Sequence, residues 1–321
     1  MQLVSVIIPV FNAMPFLKET IDSVLNQTYE PIEIIAVDDG STDGSYEYLE
    51  QLKLPNLILK RNTNKGACSA RNYGYELSSG EFIQFLDADD LMSNDKIKAQ
   101  VELITDKFET IAVCSTKHFY DTIDHGRITD KEFLYTTTDS KSFLLNLYGA
   151  HGTHNMVGGS AWLTPRTLIE KAGTWDESLS KDQDGEFFCR VVSKSEGVCY
   201  ESEVINYYRK HINGDNIANQ SKRRHIESQL KALHSKSMQF KGREHSKEFR
   251  QAMALQSKVL AINAYPKFKD ISKVALKMSH DYGGSDFLPV LGGKIIEFVK
   301  HFFGWRSAKK LSYYVHKYIL K

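Results

Sequence analysis

Glu81-Phe82-Ile83-Gln84-Phe85-Leu86-Asp87-Ala88-Asp89-Asp90 is the stretch on which the reading of this chain turns. Its first six residues are mainly apolar and its last four carry three carboxylates. A buried strand with such a tip sets the acids at the rim of a parallel sheet, where open α/β folds bind their ligands. Three adjacent carboxylates repel one another, and a divalent cation bridging them to a diphosphate relieves that repulsion. A solvated turn that caps a helix beginning near Asn94 would also use Asp. The remainder of the chain decides between the two.

Upstream, Val4 to Val10 (VSVIIPV) is a β-branched run of the kind buried on both faces of a parallel sheet. Pro15 suits the first turn of a helix, and Phe16, Leu17, Ile21, Val24 and Leu25 recur at helical spacing. The pattern then repeats as strand 32–37, turn DDGSTDGS, helix 46–52, strand 57–60, helix 67–77 and strand 81–86. Such alternation predicts right-handed βαβ crossovers and a doubly wound, mainly parallel sheet. After a helix over 95–108 the order loosens, with strands expected at 111–120 and 128–135, a helix near 141–148 and a last strand at 198–208. Helices are expected from about His225 to Met278. We therefore expect an α/β domain over 1–215, divided at residue 110 into nucleotide-binding and acceptor halves, and a helical extension over 216–321.

The 321 residues are 41% hydrophobic and 25% charged with net charge +1, a balance that offers nothing to nucleic acid. The charge is unevenly spread. Residues 294–321 hold seven Lys or Arg against Glu297, a net +6 that leaves −5 for the rest. Two helical patterns in that tail (Ile295, Phe298, Val299, Phe302, Phe303, then Leu311, Tyr314, Val315, Tyr318, Ile319) pair an apolar stripe with a basic face. That fits either a helix lying on an anionic membrane surface or packing on the domain or a second subunit. Cys68, Cys114, Cys189 and Cys199 lack C-x-x-C spacing and read as reduced core residues. No basic leader precedes the apolar run at Leu3, and no window of about 20 apolar residues occurs. The expected location is the cytoplasm, or the cytosolic face of the inner membrane as a peripheral protein.

Each early strand ends in a polar loop. Asp38 or Asp39 could accept the N3–H of a uracil ring, and Asn64-Lys65-Gly66 before Arg71 sets cations at a helix N-terminus that already favours phosphate. VSVIIPVFN, VDDGSTDGS, NKGACSARN and FLDADD, in this order, resemble the family 2 glycosyltransferases of the GT-A fold over about residues 3–211. The resemblance implies nucleotide binding by Pro9, Val10, Phe11, Asp38, Asp39, Asn64, Lys65, Arg71, Asp87 and Ala88. It also implies that Asp87 and Asp89, with His211 of the segment Tyr207-Tyr208-Arg209-Lys210-His211, hold Mn²⁺ or Mg²⁺.

Transfer with inversion needs a carboxylate that deprotonates the acceptor. The segment SKDQDGEFFCRVV resembles the family's Glu-Asp pair before an Arg-containing helix, which falls on Gln183-Asp184 and makes Asp184 the expected base. Gln183 stands where the family more often has Glu, so Asp182 is a rival. Acceptor contacts are expected from Trp162, Asp182 and the loop 151–160. The implied function is metal-dependent transfer from a nucleotide-sugar, a UDP-sugar above others, to a glycan or lipid-linked saccharide of the bacterial surface, with oligomerisation left open. A nicotinamide enzyme would need a G-x-G-x-x-G turn, which is absent. A sugar nucleotidyltransferase would need a Gly-rich basic loop where PVFNAMPF stands, and a degenerate binding module would not keep the carboxylates.

Overall fold

The computed structural model describes residues 1–63, 65–211 and 220–318. The chain divides into two compact units, Met1–Leu144 with Met156–Asn219, and Leu145–Asn155 with Gln220–Lys321. In chain order the elements of the first are β1 (Val4–Val10), α1 (Met14–Leu25), β2 (Ile32–Asp38), α2 (Ser45–Gln51), β3 (Leu57–Arg61), α3 (Ala67–Leu77), β4 (Phe82–Phe85), β5 (Leu91–Met92), α4 (Lys96–Ile104), β6 (Thr110–Phe119) and β7 (Arg127–Ile128). Then come α5 (Ser140–Tyr148), which runs into the second unit, β8 (Trp162–Pro165), α6 (Arg166–Ala172), α7 (Gln183–Lys194) and β9 (Gly197–Arg209). The second unit adds α8 (Arg223–Met238), α9 (Lys247–Ala264), α10 (Lys269–Asp281) and α11 (Lys294–Tyr318), the last broken at Gly304.

Among the described residues nine strands form one sheet in the order β3-β2-β1-β4-β8-β6-β9-β5, with β7 against β6. The expected doubly wound half is there: β3, β2, β1 and β4 are parallel. Val4, Val6, Ile7, Ile8 and Val10 of β1 are fully buried, each worth about 1.5–3 kcal/mol on leaving water. Register brings the strand ends together. Val10 lies opposite Asp38, Asp38 opposite Arg61, and Ile7 opposite Phe85, so the loops after these strands share one edge of the sheet.

The far half of the sheet is mixed. Strand β8 inserts antiparallel between β4 and β6, whereas β9 runs parallel to β6 and antiparallel to the two-residue β5. Its pairing with β6 shifts between Cys114 and Ser115, whose partners are Glu201 and Ile205, so residues 202–204 are extra length on β9. The expected strand over 128–135 is corrected. Only Arg127–Ile128 pairs, and a single 3₁₀ turn follows at Lys131–Phe133, because buried Asp130 bends the chain inward to accept the Thr116 N–H at 2.8 Å. The four cysteines are buried thiols, as expected.

Helix α3 crosses β1 at Gly74, where an added Cβ would come within 2.4 Å of Ile7 Cγ2. The helix-propensity gain of Gly74→Ala, up to about 1 kcal/mol, is smaller than the overpacking cost of about 1–3 kcal/mol. We expect Gly74→Ala to lower the urea midpoint; a midpoint at or above wild type would show that α3 is free to move off the sheet.

Candidate active site

The shared edge begins with Phe11, an aromatic ring left 54% exposed just past β1. Beside it, the Asp39 N–H donates to Val10 O at 2.7 Å. The Asp39 carboxylate accepts the backbone N–H groups of Lys65 and Gly66 at 2.9 and 2.8 Å, which fixes the turn that opens α3. Asp38 is more deeply buried, and its Oδ2 accepts from Gly40 and Ser41. Lys65 is exposed on its turn. Asn64 lies outside the described residues. Val10 and Ala88 are buried, so only their main chains are at hand: Val10 O takes the Asp39 N–H, and Ala88 O accepts the Thr20 hydroxyl at 2.9 Å.

The tip of β4 delivers the three carboxylates into different surroundings. Asp87 pairs with Arg71 at 2.6 Å, and this guanidinium, buried over the Trp175 ring, is thereby turned to a carboxylate instead of an open phosphate path. Asp89 Oδ2 stands 2.6 Å from His211 Nε2. Asp90 is buried, accepts the Arg209 N–H at 3.0 Å and takes the Ser160 hydroxyl at 3.3 Å. Burial first, and then the neighbouring Asp charges, raises the proton affinity of both Asp89 and Asp90, with His211 opposing this at Asp89. Arg209 ties the end of β9 to this tip. Its Nε donates to Asp89 O at 2.9 Å, and its Nη2 pairs with Glu19 at 2.6 Å.

Asp184 sits in the first turn of α7, two residues after Asp182, which takes the N-cap position with a left-handed backbone (φ 60°). Burial pushes the Asp184 carboxyl up to about 6; Arg71 and the Gly159 N–H oppose the rise, whereas Asp87 and Asp182 add to it. The turn at Gly159–Ala161 meets both carboxylate groups. A Cβ at Gly159 would lie 3.4 Å from Asp184 Oδ1, and Ser160 Oγ accepts the Asp87 N–H as it donates to Asp90. Behind the turn, Gln84 holds Ser160 O and Gln100 holds Ala161 O, and the buried Lys96 ammonium joins the two amide oxygens at 2.5 and 2.8 Å. Desolvation lowers the pKa of this lysine to about 8. The roles of Ser160, Lys96 and Arg209 are missing from the sequence reading; a lysine and a glutamine four apart on α4 read as an exposed pair.

Trp162 is corrected. It lies in β8 at 1% exposure and stacks on Phe188 at 5.3 Å, so it belongs to the core under α7 and offers no face to an acceptor. Asp89 and His211 suit part of a divalent-cation sphere, as an oxygen and an imidazole donor. Among the described residues no three His, Cys, Asp or Glu side chains are arranged to hold an ion by themselves. A cation there would draw further oxygens from its ligand.

The sequence profile of Glycosyl transferase family 2 matches residues 5–168, which include β1 to β8 and the acidic tip. The chain belongs to this family. Over 213 residues it is 31% identical to the UDP-Glc:alpha-D-GlcNAc-diphosphoundecaprenol beta-1,3-glucosyltransferase WfaP of Escherichia coli, covering 66% of this chain and 78% of that one. It spans 64% and 43% of the length of two other relatives, uncharacterised glycosyltransferases of Rickettsia typhi and Haemophilus influenzae. In fold it is similar to S. aureus TarS 1-349 in complex with UDP-GlcNAc, with a TM-score of 0.61, 17% identity, and coverage of 92% of this chain and 95% of that one. The mannosyltransferase PcManGT of Pyrobaculum calidifontis, in complex with GDP-Man and Mn²⁺, aligns with a TM-score of 0.53 and 18% identity, covering 98% of this chain and 84% of that one. The GT-A fold read from the strand series is therefore the fold of this family 2 member.

A carboxyl held above its ordinary pKa favours the folded state only while protonated. That contribution is complete below about pH 4 and is lost as pH rises through about 6. Asp184→Asn should therefore gain stability over wild type between pH 4.5 and 7.5, on the order of 3 kcal/mol at the upper end. Thermal melts at the two pH values measure it, and a difference that shrinks with rising pH would contradict the assigned burial.

Proposed function

We propose that this chain transfers a sugar from a nucleotide donor, a UDP-sugar, to a hydroxyl of a glycan or lipid-linked saccharide, with inversion at the anomeric carbon and with Mn²⁺ or Mg²⁺ as cofactor. The observation that carries the reading is that Asp184, a buried carboxylate poised near neutrality, shares one field with the acids at the β4 tip. Asp39, beside the exposed Phe11 ring, accepts a base N–H while the ring covers the base face. Asp87, held by Arg71, takes the ribose hydroxyls. Lys65 and the N-terminus of α3 face the phosphates. Asp89 and His211 hold the cation, which when bound neutralises the charge gathering on the departing diphosphate.

Asp184 removes the acceptor proton as the hydroxyl oxygen attacks the anomeric carbon, the bond to the diphosphate breaks, and the carboxyl ends protonated. A base near pKa 6 is largely ionised at neutral pH and still strong enough to take the proton. Arg71 opposes the upward push of burial and so keeps Asp184 from staying protonated in the resting enzyme. Asp182 is assigned to start α7 and to add to the field at Asp184, with no proton-transfer step. WfaP, by its name, acts on a diphosphoundecaprenol-linked sugar. A lipid-linked acceptor of that class places the reaction at a bilayer surface.

Asp184→Asn should reduce transfer by roughly 10²–10⁴-fold and leave UDP affinity within about twofold. Near-normal turnover would move the base elsewhere. Wild-type turnover should rise with pH through about 6 as Asp184 ionises. Asp89→Asn should weaken Mn²⁺-dependent UDP binding about tenfold or more and leave any metal-free binding unchanged, which calorimetry with and without Mn²⁺ separates. A screen of UDP-, GDP- and dTDP-sugars, reading released nucleoside diphosphate, tests the donor; turnover confined to a non-uridine donor would overturn that assignment.

A further inference from the structure

The second unit treats the two halves of its last helix differently. Beyond Gly304, whose φ of 77° breaks α11, the chain turns inward: Ala308 is fully buried, Leu311 is partly buried, and the Ser312 hydroxyl donates to Leu291 O at 3.1 Å. These residues join Ile262, Leu291 and Ile296 in a small core. Before Gly304 the helix divides its apolar side chains: Ile296 and Val299 pack on this core, and the others point outward. Val290, Ile295, Phe298, Phe302 and Phe303 are each 59–81% exposed. Residues 295, 298 and 302 follow helical spacing, so they form one stripe. Phe298 and Phe302 rest on each other with ring centroids 4.6 Å apart.

This stripe is held in place. Glu297 accepts the Leu291 N–H at 2.7 Å and pairs with Lys300, which also donates to Pro289 O at 3.0 Å. Four large apolar side chains within the nine residues 295–303 are costly to leave in water unless something covers them. The surrounding charge indicates what does. Lys294 at the start of the helix and Arg306 and Lys310 past the break are exposed, in a segment of net +6. Aromatic rings rimmed by cations, in a segment with six excess positive charges, match the acyl boundary and the phosphates of an anionic bilayer.

We propose that residues 290–303 are a membrane-interface element, with Ile295, Phe298, Phe302 and Phe303 inserting among lipids and Lys294, Arg306 and Lys310 resting on anionic headgroups. Of the residues in the two sequence patterns, Val299 and Leu311 pack on the small core of this unit. Biologically the proposal rests on the reading of a lipid-linked acceptor, but its test needs no turnover, so binding and transfer can fail independently.

Sedimentation with vesicles of phosphatidylcholine containing phosphatidylglycerol, against phosphatidylcholine alone, supplies the test. The full chain should bind the anionic vesicles and lose that binding as salt rises from 0.1 to 0.5 M. Phe298→Ser/Phe302→Ser/Phe303→Ser should weaken binding about tenfold or more, with an unchanged circular dichroism melt because these rings are exposed. Lys294→Gln/Arg306→Gln/Lys310→Gln should abolish the preference for anionic vesicles. Wild-type protein left in the supernatant would overturn the proposal. So would a triple Ser variant that binds as wild type does, or one that turns a wild-type dimer into a monomer in ultracentrifugation while vesicle binding persists.

Discussion

Crowded negative charge at the end of β4 is the constraint around which the first unit is built. Asp87, Asp89 and Asp90 leave one strand tip together, and Asp184 feels Asp87 from the start of α7. Such a cluster opposes folding unless each acid has a partner. Arg71 supplies one for Asp87, His211 one for Asp89, and the β9 main chain together with Ser160 one for Asp90. The partners come from α3, β9 and the turn before β8. The acids therefore determine which distant segments meet at this edge as much as the apolar core does.

The compensation is incomplete by design of the surroundings. Asp89, Asp90 and Asp184 all keep raised proton affinities, with burial the leading cause in each. This residual field favours positive charge, a proton or a cation, and the burial of unneutralised acids takes stability away from the fold. The Lys96 ammonium shows the opposite solution. Buried behind the site, it is held by the amide oxygens of Gln84 and Gln100, which in turn brace the backbone of Ser160 and Ala161. A cation caged by neutral amides fixes the geometry of the turn without cancelling the charge in front of it.

Local pattern made the parallel half legible. The run VSVIIPV is β1 from end to end, and the stretch from Ala67 to Leu77 is α3 to the residue, because continuous β-branched runs and 3.6-residue periodicity are decided within a few neighbours. The mixed half was legible only in part: the strands expected at 111–120 and 198–208 and the helix near 141–148 are β6, β9 and α5, but no local signal carried the strand pairing. Strand β5 is two residues long and exists because β9 passes beside it, and β8 is set by pairing with strands about 50 to 80 residues earlier. Trp162 looked like a sugar platform because a tryptophan beside glycines reads as a loop; its place under Phe188 depends on α7, whose position no local signal carries. Within the site, the carboxylates were visible as a motif. The groups that hold them, Ser160, Arg209 and Lys96, look ordinary in sequence and acquire their meaning only from contacts more than ten residues away.

The slack at residues 202–204 of β9 has a bearing on how this edge tolerates change. Arg209 and His211 must arrive opposite Asp89 in fixed phase, since side chains alternate faces along a strand and a slip of one residue would turn each of them away. The looped-out triplet lies upstream of that pairing and outside its hydrogen-bond ladder. Length gained or lost there would be taken up as a larger or smaller bulge, whereas the same change after Ile205 would be passed on to the histidine. The irregularity thus serves as an expansion joint between the frame of the sheet and its reactive rim.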